Sequence, residues 1–223
     1  MTAAFQRVWV PRLDELQVLT ASLALLPRDD FLGDTPLAPV NAALQREGAP
    51  GAWNAVDARP AVTPSGLLVF FRLEHRRDAA GAAPVPYRVA VSSKPYRPAY
   101  RETKDFEDAL VTPYDDRKSP PPSPAPMRMV LYPAPSYPFP PDVPVLRGRI
   151  RDGAGAPVPD ALVTQALLER VLSDERGEYA LPLRWVAPHV ATAVSATDRL
   201  GRTGTRNAVI PADLGQSFDI TVT

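Results

Sequence analysis

The 223-residue chain carries 25 basic and 25 acidic residues, so its formal net charge is zero, and 45% of it is hydrophobic. A neutral chain has no overall field to gather nucleic acid or an anionic membrane, no apolar run approaches the roughly 20 residues of a membrane span, and the absence of cysteine excludes disulfides, thiolate nucleophiles and Cys-ligated metals. The 28 prolines point to strands with stiff connections, because proline is costly inside helices and confined to the edges and starts of strands.

Lys94, Lys104 and Lys118 are the only lysines; the other basic residues are arginines, which together with abundant Ala and Pro reads as high-GC coding rather than a demand for arginine. The N-terminus, MTAAFQRVWVPRLDELQVL, lacks a basic region followed by an apolar one. No signal peptide is recognised, and the expected location is the cytoplasm or a particle assembled there. Residues 8–10 and 13–19 are expected to form an extra strand or a short helix. Residues 19–44 read as a strand, a turn and the entry Pro36-Leu37-Ala38-Pro39-Val40. An insertion around 46–60 contains Trp53. Residues 63–73 turn at Ser65-Gly66 and continue as an apolar strand. Residues 85–100 alternate, with Tyr87, Val89 and Val91 on one face. Residues 105–111 suit a helical turn.

Residues 116–143 are expected to be a proline-rich connector, with eleven prolines between Pro120 and Pro144. Such a segment runs as semi-rigid polyproline II. A P-x-x-P spacing within 120–126 also fits a ligand for an aromatic groove, but any run of prolines supplies it, and a stiff linker is the preferred reading. Residues 127–131 interrupt the tract as a strand that could pair with one sandwich. Tyr132, Tyr137 and Phe139 would then pack against a module and set the angle between the two.

Beyond 144 the alternation is regular. Leu146, Gly148 and Ile150 alternate with Arg147, Arg149 and Arg151. A turn at 152–155 should make a hairpin into a strand over 161–167. A turn at 173–177 precedes Tyr179, Leu181 and Leu183 on one face. Val190, Thr192 and Val194 continue the pattern, and Phe218, Ile220 and Val222 close it. Short alternating strands with turns between them describe a β-sandwich.

Three of these pieces resemble the carboxypeptidase regulatory-like domain: Gly148-x-Ile150-x-Asp152, then Gly155-x-Pro157-Val158-x-x-Ala161-x-Val163, then Ser173-Asp174-x-x-Gly177-x-Tyr179-x-Leu181. The resemblance covers 144–223 and implies a transthyretin-like (prealbumin-like) sandwich of about seven strands. Tyr87-x-Val89-x-Val91 resembles an element of the same family, which implies a diverged copy in the N-terminal half.

The resemblance is to an accessory domain, and catalytic patterns are missing. His75 and His189 are the only histidines, and neither sits in the spacing of a zinc peptidase. Intradiol dioxygenases on related sandwiches use a Pro-His-x-His pair; here Pro188-His189 is followed by Val190-Ala191, so His189 reads as a loop residue. The Tyr-Arg-Gly-Ser ending of hydroxyisourate hydrolases is absent. Residues 119–223 hold no lysine for an isopeptide bond, and Lys94 lacks the Asn that pattern needs. Asp29-Asp30 with Asp34, and Asp115-Asp116, could attract calcium, but without a D-x-D-x-D-G order they read as solvated turns. No phosphate loop, nucleophile elbow or dinucleotide fingerprint occurs. Aromatic residues near Pro and Arg are the remaining candidates for interaction: Trp53, Tyr96, Tyr100, Tyr114, Tyr132, Tyr137 and Phe139.

The sequence therefore predicts an all-β chain of two tandem antiparallel Ig-like or prealbumin-like sandwiches, 1–115 and 144–223, joined by the connector 116–143. The expected role is a non-enzymatic structural or interaction subunit with protein partners and no cofactor; by analogy of fold, a phage-tail-like or contractile injection particle would suit it. A carbohydrate-binding or adhesive module is one alternative. A metal-dependent enzyme using His189 and tyrosines is the other.

Overall fold

The computed structural model describes residues 21–77, 79, 81–100, 104–115, 124–166 and 168–223. The expectations for 8–10 and 13–19, the N-terminal leader, Leu167 and most of the P-x-x-P tract lie outside them. Sixteen strands run in chain order among the described residues: β1 (Ala21–Asp29), β2 (Asn41–Glu47), β3 (Trp53–Val56), β4 (Ala61–Val62), β5 (Leu68–Phe71), β6 (Val85–Ser92), β7 (Tyr96–Ala99), β8 (Glu107–Val111), β9 (Met127–Pro133), β10 (Val145–Asp152), β11 (Leu162–Gln165), β12 (Glu169–Leu172), β13 (Glu178–Pro182), β14 (Ala191–Thr197), β15 (Thr203–Val209) and β16 (Ile220–Val222). No helix among them is long and apolar enough to cross a membrane.

The first sandwich stacks the sheet β4-β5-β1-β9-β7 on the sheet β3-β2-β6-β8. Alternation explains its core: Leu23 and Leu25 from β1, with Met129 and Leu131 from the neighbouring β9, meet Leu44, Tyr87, Val89 and Val91 from the other sheet. The second sandwich stacks β13-β10-β16 on β12-β11-β14-β15. Leu146 and Ile150 face Val163, Val171, Val194 and Ala196 there, and Phe218, Ile220 and Val222 close the core. The arginines of β10 point outward, as their spacing requires.

Removing the edge strands β4 and β7 from the first sandwich leaves the same seven-strand plan twice. β5-β1-β9 matches β13-β10-β16, and β3-β2-β6-β8 matches β12-β11-β14-β15, in identical chain order. Each central strand, β1 and β10, has one antiparallel neighbour and one parallel one. These two sheets are therefore mixed, not purely antiparallel as expected, while β3-β2-β6-β8 and β12-β11-β14-β15 are antiparallel throughout.

Three local expectations need correction. Residues 107–111 form β8 rather than a helical turn, because Glu107, Ala109 and Val111 are buried in strict alternation. The strand expected at 127–131 is present as β9, but it belongs to the first sandwich rather than to the connector 116–143: it lies between β1 and β7, and its apolar Met129 and Leu131 fill the core. The link between sandwiches is thus 134–144. The hairpin expected at 148–163 is one bridge long, Arg151 opposite Pro157; the chain then crosses to the other sheet as β11. Gly148 is required on β10 because a Cβ there would stand 2.0 Å from the Phe218 carbonyl oxygen.

Candidate functional site

The junction of the two sandwiches is built from side chains on both. At one end, Arg97 of β7 reaches into the second sandwich. Its Nε donates to Asp160 at 3.0 Å and its Nη1 to Glu175 at 2.5 Å. Arg199 answers from the second sandwich, bonding Asp160 at 2.9 Å and Asp105 at 3.0 Å. Asp160 holds a left-handed backbone (φ 52°) while two arginines clamp it, a conformation Asp tolerates better than most side chains. Burial opposes the charge on Arg97, but its bonds to Glu175 and Asp160 outweigh that and raise its pKa. The Arg97 bond holds the Glu175 carboxyl below its ordinary range.

At the other end, Arg170 of β12 makes a two-pronged contact with Asp30, at 2.6 and 3.1 Å, and lies over the Tyr132 ring. Arg184 grips the buried Glu169 with two bonds, 2.6 and 3.0 Å. It also donates to the Phe31 carbonyl at 2.9 Å and stacks 4.0 Å above the Phe31 ring. Between these ends lies a cleft of about 340 Å³, lined by Pro98, Tyr100 and Tyr132 on one side and by Leu162, Leu172 and Arg199 on the other.

Behind the junction, Asp29 is fully buried. Its Oδ2 accepts from the Tyr96 hydroxyl at 2.8 Å and the Tyr137 hydroxyl at 2.6 Å, and its Oδ1 from the backbone N–H of Phe31 and Leu32. Phe31 stands edge to face against Tyr137 and Phe139, and the Tyr137 and Phe139 rings are tilted against each other. Burial and the Asp29 bond push the Tyr96 hydroxyl up to about 12, against the Leu37 N–H that donates to it. Tyr137 rises for the same two reasons, and Tyr179 mainly through burial.

The sequence candidates therefore fall into separate places. Tyr96 and Tyr137 are core residues on Asp29, and Phe139 packs beside them. Tyr100 and Tyr132 line the cleft. Tyr114 is buried against His75. Trp53 lies elsewhere, on the outer face of β3 under Arg88. None of the seven is exposed. The acidic pair is also corrected: Asp29 is a buried acceptor and Asp30 an interface partner, so neither is a solvated turn residue. His189 is exposed, with φ 63°. Among the described residues, no group of three or more His, Asp or Glu is placed to hold a metal ion. Sequence reasoning missed Arg97, Asp160, Arg170, Glu169, Arg184 and Arg199. Nothing in the local pattern marks an arginine that crosses to another sandwich, and the chain's many other arginines hid these.

Burial raises six of the seven tyrosines, and Tyr87 reaches about 12 with help from Glu74. A raised folded pKa contributes stability that is complete below the unfolded value of about 10. It is lost as pH rises through the folded values. Following the tyrosinate absorbance should show these six silent in the native chain at the pH where free tyrosine ionises, then a cooperative rise as alkaline unfolding releases them. Ionisation of these six near the free value without unfolding would contradict the buried network.

No family model matches the chain, and no curated protein matches it. Among solved structures it aligns with the Bacillus anthracis TIE protein at 11% identity and a TM-score of 0.31, over 91% of this chain and 33% of that one. The chain thus spans about a third of that protein's length.

Proposed function

We propose that this chain is a non-enzymatic structural or interaction subunit that scaffolds or docks within a larger assembly, for which a phage-tail-like or contractile injection particle remains the fold-level analogy. The junction carries this reading. It uses Arg97 on Asp160, Arg170 on Asp30, Arg184 on the Phe31 carbonyl and Arg199 on Asp105 to hold two sandwiches in one geometry, and a fixed spacing of surfaces is what a docking subunit needs. The groups chemistry would otherwise use support it as well. Asp29, Glu74 and Glu169 are buried and already saturated by tyrosine or arginine partners. The testing measurement is native mass in extract, by size-exclusion chromatography with light scattering and mass spectrometry of coeluting chains. Elution in a large complex of defined composition is the expected result. A lone 24.2 kDa species in fresh extract would remove the reading.

A further inference from the structure

The two sandwiches share one plan, so the same face can be compared in both. In the second, the outer face of β12-β11-β14 bears Arg170, Leu172 and Leu162, since Val171, Val163 and Val194 point into the core. The first sandwich covers it: Leu172 is 8% exposed although it points away from its own core. The cover consists of Tyr132 beneath Arg170, the Asp30 carboxylate on that arginine, and Pro98 across the cleft.

In the first sandwich no described residue covers the matching face. Register places Trp53 on β3, Gln45 on β2, Pro86 and Arg88 on β6, and Asp108 and Leu110 on β8 together on it. Leu110 is 68% exposed. Trp53, Pro86, Arg88 and Leu110 surround a hollow of about 430 Å³. The Arg88 guanidinium stacks 3.9 Å above the Trp53 ring. Its Nε is buried and makes no hydrogen bond among the described residues. The facing Asp108 oxygen is 3.5 Å away, and that carboxylate is shared with Lys104 at 2.6 Å. This is the Arg170 device, an arginine over a ring, without the hydrogen-bonded carboxylate that completes it.

We infer that this face docks a second polypeptide that inserts a bulky apolar side chain between Trp53 and Leu110 and lays an adjacent carboxylate on Arg88. The chemistry fits: a stacked, oriented guanidinium loses little freedom on taking a carboxylate, and Trp and Arg dominate interface energetics. A second copy of the chain is a poor occupant. Its β7–β9 edge with Asp30 is already engaged by its own second sandwich, and that sandwich has no counterpart of β7. The inference rests on the reading of the chain as an interaction subunit and names the surface it uses.

The test is to pan a random peptide library against the intact chain. Selected peptides should carry Asp or Glu beside a large apolar residue. Their binding should weaken about tenfold or more on Trp53→Ala, Arg88→Ala and Arg88→Lys. Leu110→Asp, at an exposed position that leaves folding intact, should abolish it by repelling the acid. Thr205→Ala on the other sandwich should change nothing. Peptides without acids, or binding indifferent to Arg88 and Leu110, overturn the inference, as does a glycan array that shows a sugar bound through Trp53. If native partners coelute but their cross-links fall away from Trp53 and Leu110, this surface is wrong while the subunit reading stands.

Discussion

Replacing Asp29 with alanine is expected to destabilise the chain by about 3–5 kcal/mol, read as a fall in the urea midpoint with an unchanged slope. The carboxylate accepts four hydrogen bonds, two from tyrosine hydroxyls and two from backbone N–H groups. Alanine removes every acceptor at once. The Tyr96 oxygen already accepts from the Leu37 N–H at 2.7 Å, so its proton has been directed to Asp29 and has no other target. Buried donors left unmade cost about 1–3 kcal/mol each, and a relaxed site recovers part of that. Asp29→Asn keeps the shape but turns an N–H₂ toward two hydroxyl donors, and about 2 kcal/mol is expected. Tyr137 should also ionise at lower pH in that variant, since the carboxylate that helps hold its proton is gone. A solvated turn residue would give a change within about 0.5 kcal/mol, and that result would refute the buried assignment.

Asp29 also shows where reading the sequence stops. The strands themselves were legible, because alternation is local: Tyr87, Val89 and Val91 are buried as their spacing predicts, and so are Leu146 and Ile150. Turn glycines and Pro-Val entries suggested a repeat, and the two sandwiches share seven strands in the same order, with β4 and β7 added in the first. Asp29, however, has the sequence context of a turn. What buries it arrives from 67 and 108 residues away, as the hydroxyls of Tyr96 and Tyr137. The proline count misled in the same way. It assigned 116–143 to a connector interrupted by a strand over 127–131, whereas Met129 and Leu131 draw that strand, β9, fully into the sheet between β1 and β7.

The junction follows from that placement. Once β9 belongs to the first sandwich, Tyr132 on it faces β12 of the second, and the short link 134–144 keeps the two together. Pro135 reinforces the link through its carbonyl, which accepts from Arg147 at 3.1 Å. Surface ion pairs contribute little on their own. The pairs at this junction differ because several are mostly shielded and share partners: Arg97 and Asp160 are 18% and 21% exposed, and Asp160 serves Arg199 as well.

Arg184→Ala is the change expected to break this arrangement most cleanly. The Glu169 side chain is 2% exposed and has Arg184 as its charge partner. Removing one member of a buried pair costs about 3–5 kcal/mol, because the other charge is left in an apolar setting. Arg184 also bonds the Phe31 carbonyl and covers the Phe31 ring, so the same change cuts a tie between sandwiches. The two losses can be separated. The pair Arg184→Met with Glu169→Leu removes both charges and fills their volume, which is often neutral or stabilising. It should restore most of the lost stability of the second sandwich, but it cannot restore the bond to Phe31. Thermal unfolding followed by calorimetry should therefore show one transition for the wild-type chain and two for both variants, with the lower one recovering in the double variant. A single unsplit transition in Arg184→Ala would mean that Arg97, Arg170 and Arg199 hold the sandwiches without it. In that case Arg184 stabilises the second sandwich alone.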